Sequence, residues 1–126
     1  MLGTVLIVDD CEHTAAPLEI ALATMHDIQV LMLSSALDAL KVLANRDYRI
    51  SAVVTDLHLP KMNGFELIDI IRKDVHYGKI PIVLITGDSN AVTRTQAFQK
   101  GASAYFPKPY SPADVRHELE RLLHAS

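Results

Sequence analysis

The sequence predicts an α/β domain: a doubly wound, five-stranded parallel sheet covered by five helices. Three observations carry this expectation. Strand-like apolar runs alternate with helix-period stretches five times along 126 residues, and strands separated by helices imply right-handed crossovers and a parallel sheet. The runs are almost continuously apolar, as strands buried on both faces are. The length suits one domain, predicted to span residues 1–126. The hydrophobic fraction of 49%, with mean hydropathy +0.17, suffices to cover both faces of a sheet.

The elements follow in order. Thr4 to Val8 makes the first strand. Helix one is expected over Thr14 to Met25, with Leu18, Ala21, Leu22 and Met25 on one stripe. Pro17 is placed in its first turn, because deeper in a helix it removes a backbone bond. Ile28 to Leu33 is the second strand. Ser34-Ser35 offers an N-cap, and Ala36, Leu37, Ala39, Leu40 and Leu43 build helix two. Ser51 to Thr55 is the third strand, and the breakers Pro60, Asn63 and Gly64 mark a loop. Helix three covers Phe65 to about Lys73, with Leu67, Ile68 and Ile71 facing in, and His76 to Lys79 is a connection. The fourth strand is Pro81 to Ile85, since proline can open a strand without losing a ladder bond. Ser89-Asn90 caps helix four, which ends at Gly101. Ala104 to Phe106 is the fifth strand. Ser111-Pro112 then starts helix five, whose stripe is Val115, Leu119, Leu122 and Leu123.

Composition narrows the function classes. The net charge of -3 argues against a nucleic-acid surface. Cys11 is the single cysteine, so no internal disulfide forms, which fits a reducing cytosol. No basic leader opens the chain, and no apolar run reaches the roughly 18 residues of a membrane span. The expectation is a soluble, cytoplasmic protein that contacts neither membrane nor nucleic acid. Met1, two residues before the first strand, favours a natural start, and the end at Ser126 leaves open a single-domain regulator or a receiver excised from a longer chain. Neither G-x-G-x-x-G nor a P-loop pattern occurs.

The chemistry gathers at strand ends. Asp9 and Asp10 follow the first strand, Asp56 the third, Thr86 the fourth and Lys108 the fifth. In a parallel sheet these residues share one edge, where open α/β sheets bind ligands. Three carboxylates repel one another unless a cation joins them, so the set points to a divalent metal and a phosphoryl group. Each residue alone has an ordinary explanation. Asp9 and Asp10 could cap helix one, Asp56 could be a loop acid, Lys108 a solvated lysine, and Thr86 a strand-end β-branched residue. Cys11, beside the acids, is expected to have a raised pKa and low reactivity.

Four motifs in order, Val8-Asp9-Asp10, Asp56 to Gly64, Ile85-Thr86-Gly87 and Phe106-Pro107-Lys108-Pro109, resemble the receiver domain of bacterial response regulators. The resemblance covers essentially the whole chain. It implies a flavodoxin-like sheet of order 2-1-3-4-5. It also implies phosphotransfer from a histidine kinase or histidine phosphotransfer protein to one aspartate, serving a downstream protein target or effector domain. Asp56 would then be the phosphoacceptor, because attack on an anionic phosphorus needs charge neutralisation and in-line placement above all. Mg²⁺ (or Mn²⁺) would be held by Asp10, Asp56 and the backbone carbonyl of His58, with Asp9 acting mainly through a metal-bound water. Lys108 would pair with Asp56 at rest and with a phosphoryl oxygen afterwards. The Thr86 hydroxyl would bond another phosphoryl oxygen, and Gly87 would leave room for the group.

Thr86 and Tyr105 would form the switch, turning the face of helix four, strand five and helix five. The protein would catalyse its own phosphorylation and dephosphorylation as a signalling switch, not as an enzyme. The side chains of His58 and Asp88 would flank the approach of water and set the lifetime of the phosphorylated state. The Lys108-Pro109 bond is of the type that admits a cis form. Two other functions compete. An aspartate-nucleophile phosphatase would carry D-x-D after the first strand, but here the acids are adjacent and the candidate nucleophile follows the third strand. A receiver-like module that works without phosphorylation is opposed by the complete set Asp9, Asp10, Asp56, Thr86 and Lys108.

Overall fold

A computed structural model describes residues 3–88 and 90–124. These residues form β1 (Gly3–Val8), α1 (Glu12–Ala23), β2 (Ile28–Leu33), α2 (Ala36–Ala44), β3 (Ile50–Asp56), α3 (Gly64–Lys73), β4 (Ile82–Thr86), α4 (Ala91–Lys100), β5 (Ala104–Pro107) and α5 (Pro112–His124). All strand pairs are parallel, and the sheet order is β2-β1-β3-β4-β5, as expected.

Period-two alternation divides the core between the two faces of the sheet. Leu6, Val8, Val53, Ile82 and Leu84 pack with Ala39 and Leu43 of α2, Leu67, Ile68 and Ile71 of α3, and Ala97 of α4. Val5, Ile7, Val54, Val83 and Ile85 point the other way, onto Ala15, Leu18 and Leu22 of α1 and Val115 and Leu119 of α5. Every residue of β1 is buried, which explains why its sequence shows no polar alternation.

The helix ends follow capping chemistry. Ser35 accepts the Asp38 amide at the start of α2. Asn63 and Glu66 form a capping box at α3. Asn90 accepts the Val92 amide at α4, while Ser89, its expected companion in the cap, lies outside the described residues. Gly101 closes α4 at φ 114°, a left-handed conformation that favours glycine. Ser111 accepts the Asp114 amide at α5.

Helix one departs from expectation. It begins at Glu12, so Pro17 lies inside it and not in its first turn. Asp9 Oδ1 accepts the Cys11 amide at 2.9 Å and fixes an earlier start. Pro17 lacks the N–H that would bond the carbonyl four residues back, yet its ring is exposed and the buried stripe of Ala15, Leu18 and Leu22 holds the helix to the sheet.

Arg72, at the end of α3, ties three segments together. Its Nε donates to the Gly101 carbonyl at 2.9 Å, and Nη1 donates to Gly78 at 3.1 Å and Ile80 at 2.7 Å. Nη2 donates to Ser103 Oγ at 3.3 Å, and the same oxygen accepts the Ile82 amide. One guanidinium thus satisfies carbonyls just before β4 and just after α4.

Candidate functional site

The carboxyl ends of β1, β3, β4 and β5 lie side by side. Asp56 pairs with Ile85 in the β3–β4 register, Thr86 with Pro107 in β4–β5, and the Lys108 amide donates to the Thr86 carbonyl at 2.8 Å. This register brings Asp9, Asp10, Asp56 and Lys108 to one place. One carboxylate oxygen from each of the three acids lies within 4.8 Å of the others. Lys108 Nζ sits 2.7 Å from Asp56 Oδ2 and 3.6 Å from Asp9 Oδ2. Asp9 and Asp56 are buried, while Asp10 is exposed.

The electrostatics follow from burial. Burial raises the Asp9 carboxyl above its ordinary range. The Cys11 amide and Lys108 oppose that shift, while Asp56 and Asp10 add to it. For Lys108, burial alone would lower the ammonium, but the hydrogen bond and charge of Asp56, then Asp9, carry it upward. The lysine is therefore held charged against a surplus of acid. The surplus is what a hard divalent cation would neutralise, and an all-oxygen donor set is the kind that Mg²⁺ or Mn²⁺ prefers. Asp9, Asp10 and Asp56 could hold such an ion.

The other expected site residues fall into place differently. The His58 amide donates to Asp56 Oδ1 at 3.3 Å, and its imidazole is exposed. Thr86 is fully buried, and its hydroxyl accepts the Asp88 amide at 3.1 Å. The Tyr105 hydroxyl donates to the Asp88 carbonyl at 2.7 Å. Thr86 and Tyr105 thus meet at Asp88 and not at the acids. The Lys108-Pro109 bond is cis. A Cβ on Gly87 would meet nothing within 4 Å, so open space adjoins Thr86 on that side.

One expectation is corrected. The Cys11 thiol is lowered, not raised: it is exposed, hydrogen bonding with Thr14 lowers it most, and the charge of Asp9 opposes with smaller effect.

Two contributors were not visible in the sequence. Tyr110 stands near the acids with its phenol pushed upward, first by burial and then by the charge of Asp9. Its place two residues after Lys108 is the one sequence signal that could have found it. Gly64, read as a loop breaker, is the first residue of α3 and lies against the phosphoacceptor candidate's own backbone. A Cβ there would come 2.4 Å from the Asp56 carbonyl oxygen and 3.0 Å from Leu57 Cα. Backbone cannot yield as a flexible side chain can. Gly64→Ala is therefore expected to cost about 2 kcal/mol, read as a lower urea midpoint at unchanged slope; an unchanged midpoint would show that α3 moves away freely.

A parallel sheet with three acids and a lysine at its carboxyl edge has its charged residues where open α/β domains bind ligands. The family model for the response regulator receiver domain matches residues 5–120, and the chain belongs to that family. It is 29% identical over 119 residues to chemotaxis protein CheY1 of Helicobacter pylori, covering 94% of each chain. It is 36% identical over 108 residues to a probable cyclic di-GMP phosphodiesterase of Vibrio cholerae, covering 86% of this chain but only 24% of that protein. Among solved structures, a putative response regulator from Chloroflexus aurantiacus superposes with a TM-score of 0.87 at 26% identity, over 98% of both chains. The chain is a CheY-like receiver domain of two-component signalling with a flavodoxin-like fold. No described helix is long and apolar enough to cross a membrane.

Proposed function

We propose that this receiver accepts a phosphoryl group on Asp56 from a histidine kinase or histidine phosphotransfer protein and thereby controls a protein partner through the α4–β5–α5 face. The observation that carries this is the setting of the Asp56 carboxylate. One oxygen is on Lys108 at 2.7 Å, the other accepts the His58 amide, and two further acids stand within metal-bridging reach. A nucleophile held at both oxygens is fixed in direction, which phosphoryl transfer requires more than proton removal.

In the step, an Asp56 oxygen bonds phosphorus as the donor's P–N bond breaks, and the imidazole leaves with the electron pair. Lys108 gives up its bond to the carboxylate and pairs with a phosphoryl oxygen. Asp10, Asp56 and the His58 carbonyl would hold Mg²⁺ or Mn²⁺ directly, and Asp9 would hold it through water. When bound, the cation supplies neutralisation of the phosphoryl charge. The Thr86 hydroxyl, which accepts the Asp88 amide in this structure, would turn to donate its proton to a phosphoryl oxygen, and the turn would break the Asp88 bond.

The test is intact mass after incubation with acetyl phosphate. Wild type is expected to gain one phosphoryl adduct with Mg²⁺ and none with chelator, and Asp56→Asn none in either condition. A wild type that stays unmodified across a panel of donors would instead support a module that works without phosphorylation.

A further inference from the structure

Asp88 hydrogen-bonds both halves of the expected switch, and its side chain reaches a third element. Its amide donates to Thr86 Oγ1, and its carbonyl accepts from the Tyr105 hydroxyl. Its carboxylate accepts the Asn90 amide at 3.1 Å through one oxygen and the Thr93 hydroxyl at 3.2 Å through the other. Thr93 is one of two buried residues of α4 and is 8% exposed. The other, Ala97, packs into the core below the sheet. The remaining residues of α4 are exposed, including Val92 at 62% and Phe98 at 44%. The helix is therefore lightly held, and α4 shares few contacts beyond α3 and β5. A charge-assisted bond to a buried hydroxyl is a large part of what sets such a helix in place.

We propose that Thr93 is a positioning residue through which Asp88 carries the state of the acidic site to α4, along a route separate from the one that reaches β5 through Tyr105. The proposal rests on Asp56 being the phosphoacceptor. When Thr86 turns to a phosphoryl oxygen, it releases the Asp88 amide. The Asp88 peptide then moves, and its carboxylate draws Thr93 with it, while its carbonyl acts on Tyr105. One displacement divides into a side-chain branch and a main-chain branch.

The two branches separate by substitution. Thr93→Val keeps the shape of the side chain and removes the hydroxyl; Thr93→Ser restores it. The experiment compares amide chemical shifts of wild type, both Thr93 variants and Tyr105→Phe, each with Mg²⁺ and with Mg²⁺ plus beryllofluoride as the phosphoryl mimic. Thr93→Val is expected to lose at least half of the shift change across Ala91–Lys100 while keeping that of Tyr105, and Thr93→Ser is expected to behave as wild type. Tyr105→Phe should keep the α4 response. Thr93→Val with an undiminished α4 response would overturn the proposal. Wild type unresponsive to beryllofluoride would overturn the phosphoacceptor reading instead. The tie itself is then decided in the free protein by hydrogen exchange at Asn90, whose amide bonds the same carboxylate: faster exchange in Thr93→Val supports it, and equal exchange overturns it.

Discussion

Lys108→Met is expected to lower stability by about 2 kcal/mol at pH 7 in chelator and to regain most of that in Mg²⁺. Removing one partner of a buried ion pair costs about 3–5 kcal/mol, because the other charge is left alone. Here the lysine side chain is 28% exposed and the Asp56 side chain 9%, so solvent relieves part of the loss. The variant keeps Asp9, Asp10 and Asp56 within 4.8 Å with no cation among them.

The pH dependence has a definite sign. The Asp9 carboxyl is raised in the folded protein, so between the unfolded and folded values the native state binds the extra proton. Stability then falls as pH rises through that window. Lys108 is also raised, so its contribution is complete below its ordinary value and is lost only as pH climbs through the raised one. In Lys108→Met the acid-side slope steepens, and the deficit should shrink toward pH 4 as Asp9, whose carboxyl is raised, takes up its proton. Urea unfolding at pH 4 and 7, each with chelator or Mg²⁺, measures this. A deficit at pH 7 that Mg²⁺ leaves untouched would mean the three acids do not bind the ion together.

Arg72→Met is expected to cost about 3 kcal/mol, a larger effect than any substitution at the acidic site. Its guanidinium satisfies the Gly78, Ile80 and Gly101 carbonyls and Ser103 Oγ. Methionine fills much of the volume but leaves these acceptors without their donor; a hydrogen bond to a charged group contributes about 1.5–3 kcal/mol net, and water entering the half-buried site recovers part of the total. Arg72→Lys should recover only a part, since one ammonium cannot reproduce the planar fork. A fall of under 1 kcal/mol in Arg72→Met, measured by urea unfolding, would show that water replaces the guanidinium readily. Phosphoryl acceptance by the folded fraction should be unchanged, because Arg72 makes none of its bonds at the acidic edge.

The strands and the acidic cluster were legible in the sequence for the same reason. A parallel strand buried on both faces writes a continuous apolar run, and the residue that ends it lands at the sheet edge whatever its helices do. Asp9, Asp56 and Lys108 therefore met as expected. Helix one was harder, because Cys11 at its start makes no side-chain cap and its amide bonds back to the Asp9 carboxylate two residues earlier. Pro17 was placed by the preference of proline for a first turn, which this earlier start overrides. Arg72 gave no signal, since its partners lie at residues 78, 80, 101 and 103 and nothing in its neighbourhood announces them. Gly64 looked like a turn glycine because close backbone approach and turn formation call for the same residue. The meeting of Thr86 and Tyr105 at Asp88 depends on side-chain rotamers, which spacing does not encode.

The two glycines beside the site make its compliance one-sided. At Gly64 the backbone of α3 stands hard against the Asp56 carbonyl, whereas beyond Gly87 there is empty space. If Asp56 takes the phosphoryl group as proposed, its main chain would be braced by α3 while room remains on the β4–α4 side. The direction of the strain that group introduces would be set by this contrast before any partner arrives. On the proposed phosphoacceptor reading, such a receiver would work like a beam clamped along one edge, with the load entering at Asp56 and the deflection appearing at the free edge, where α4 begins.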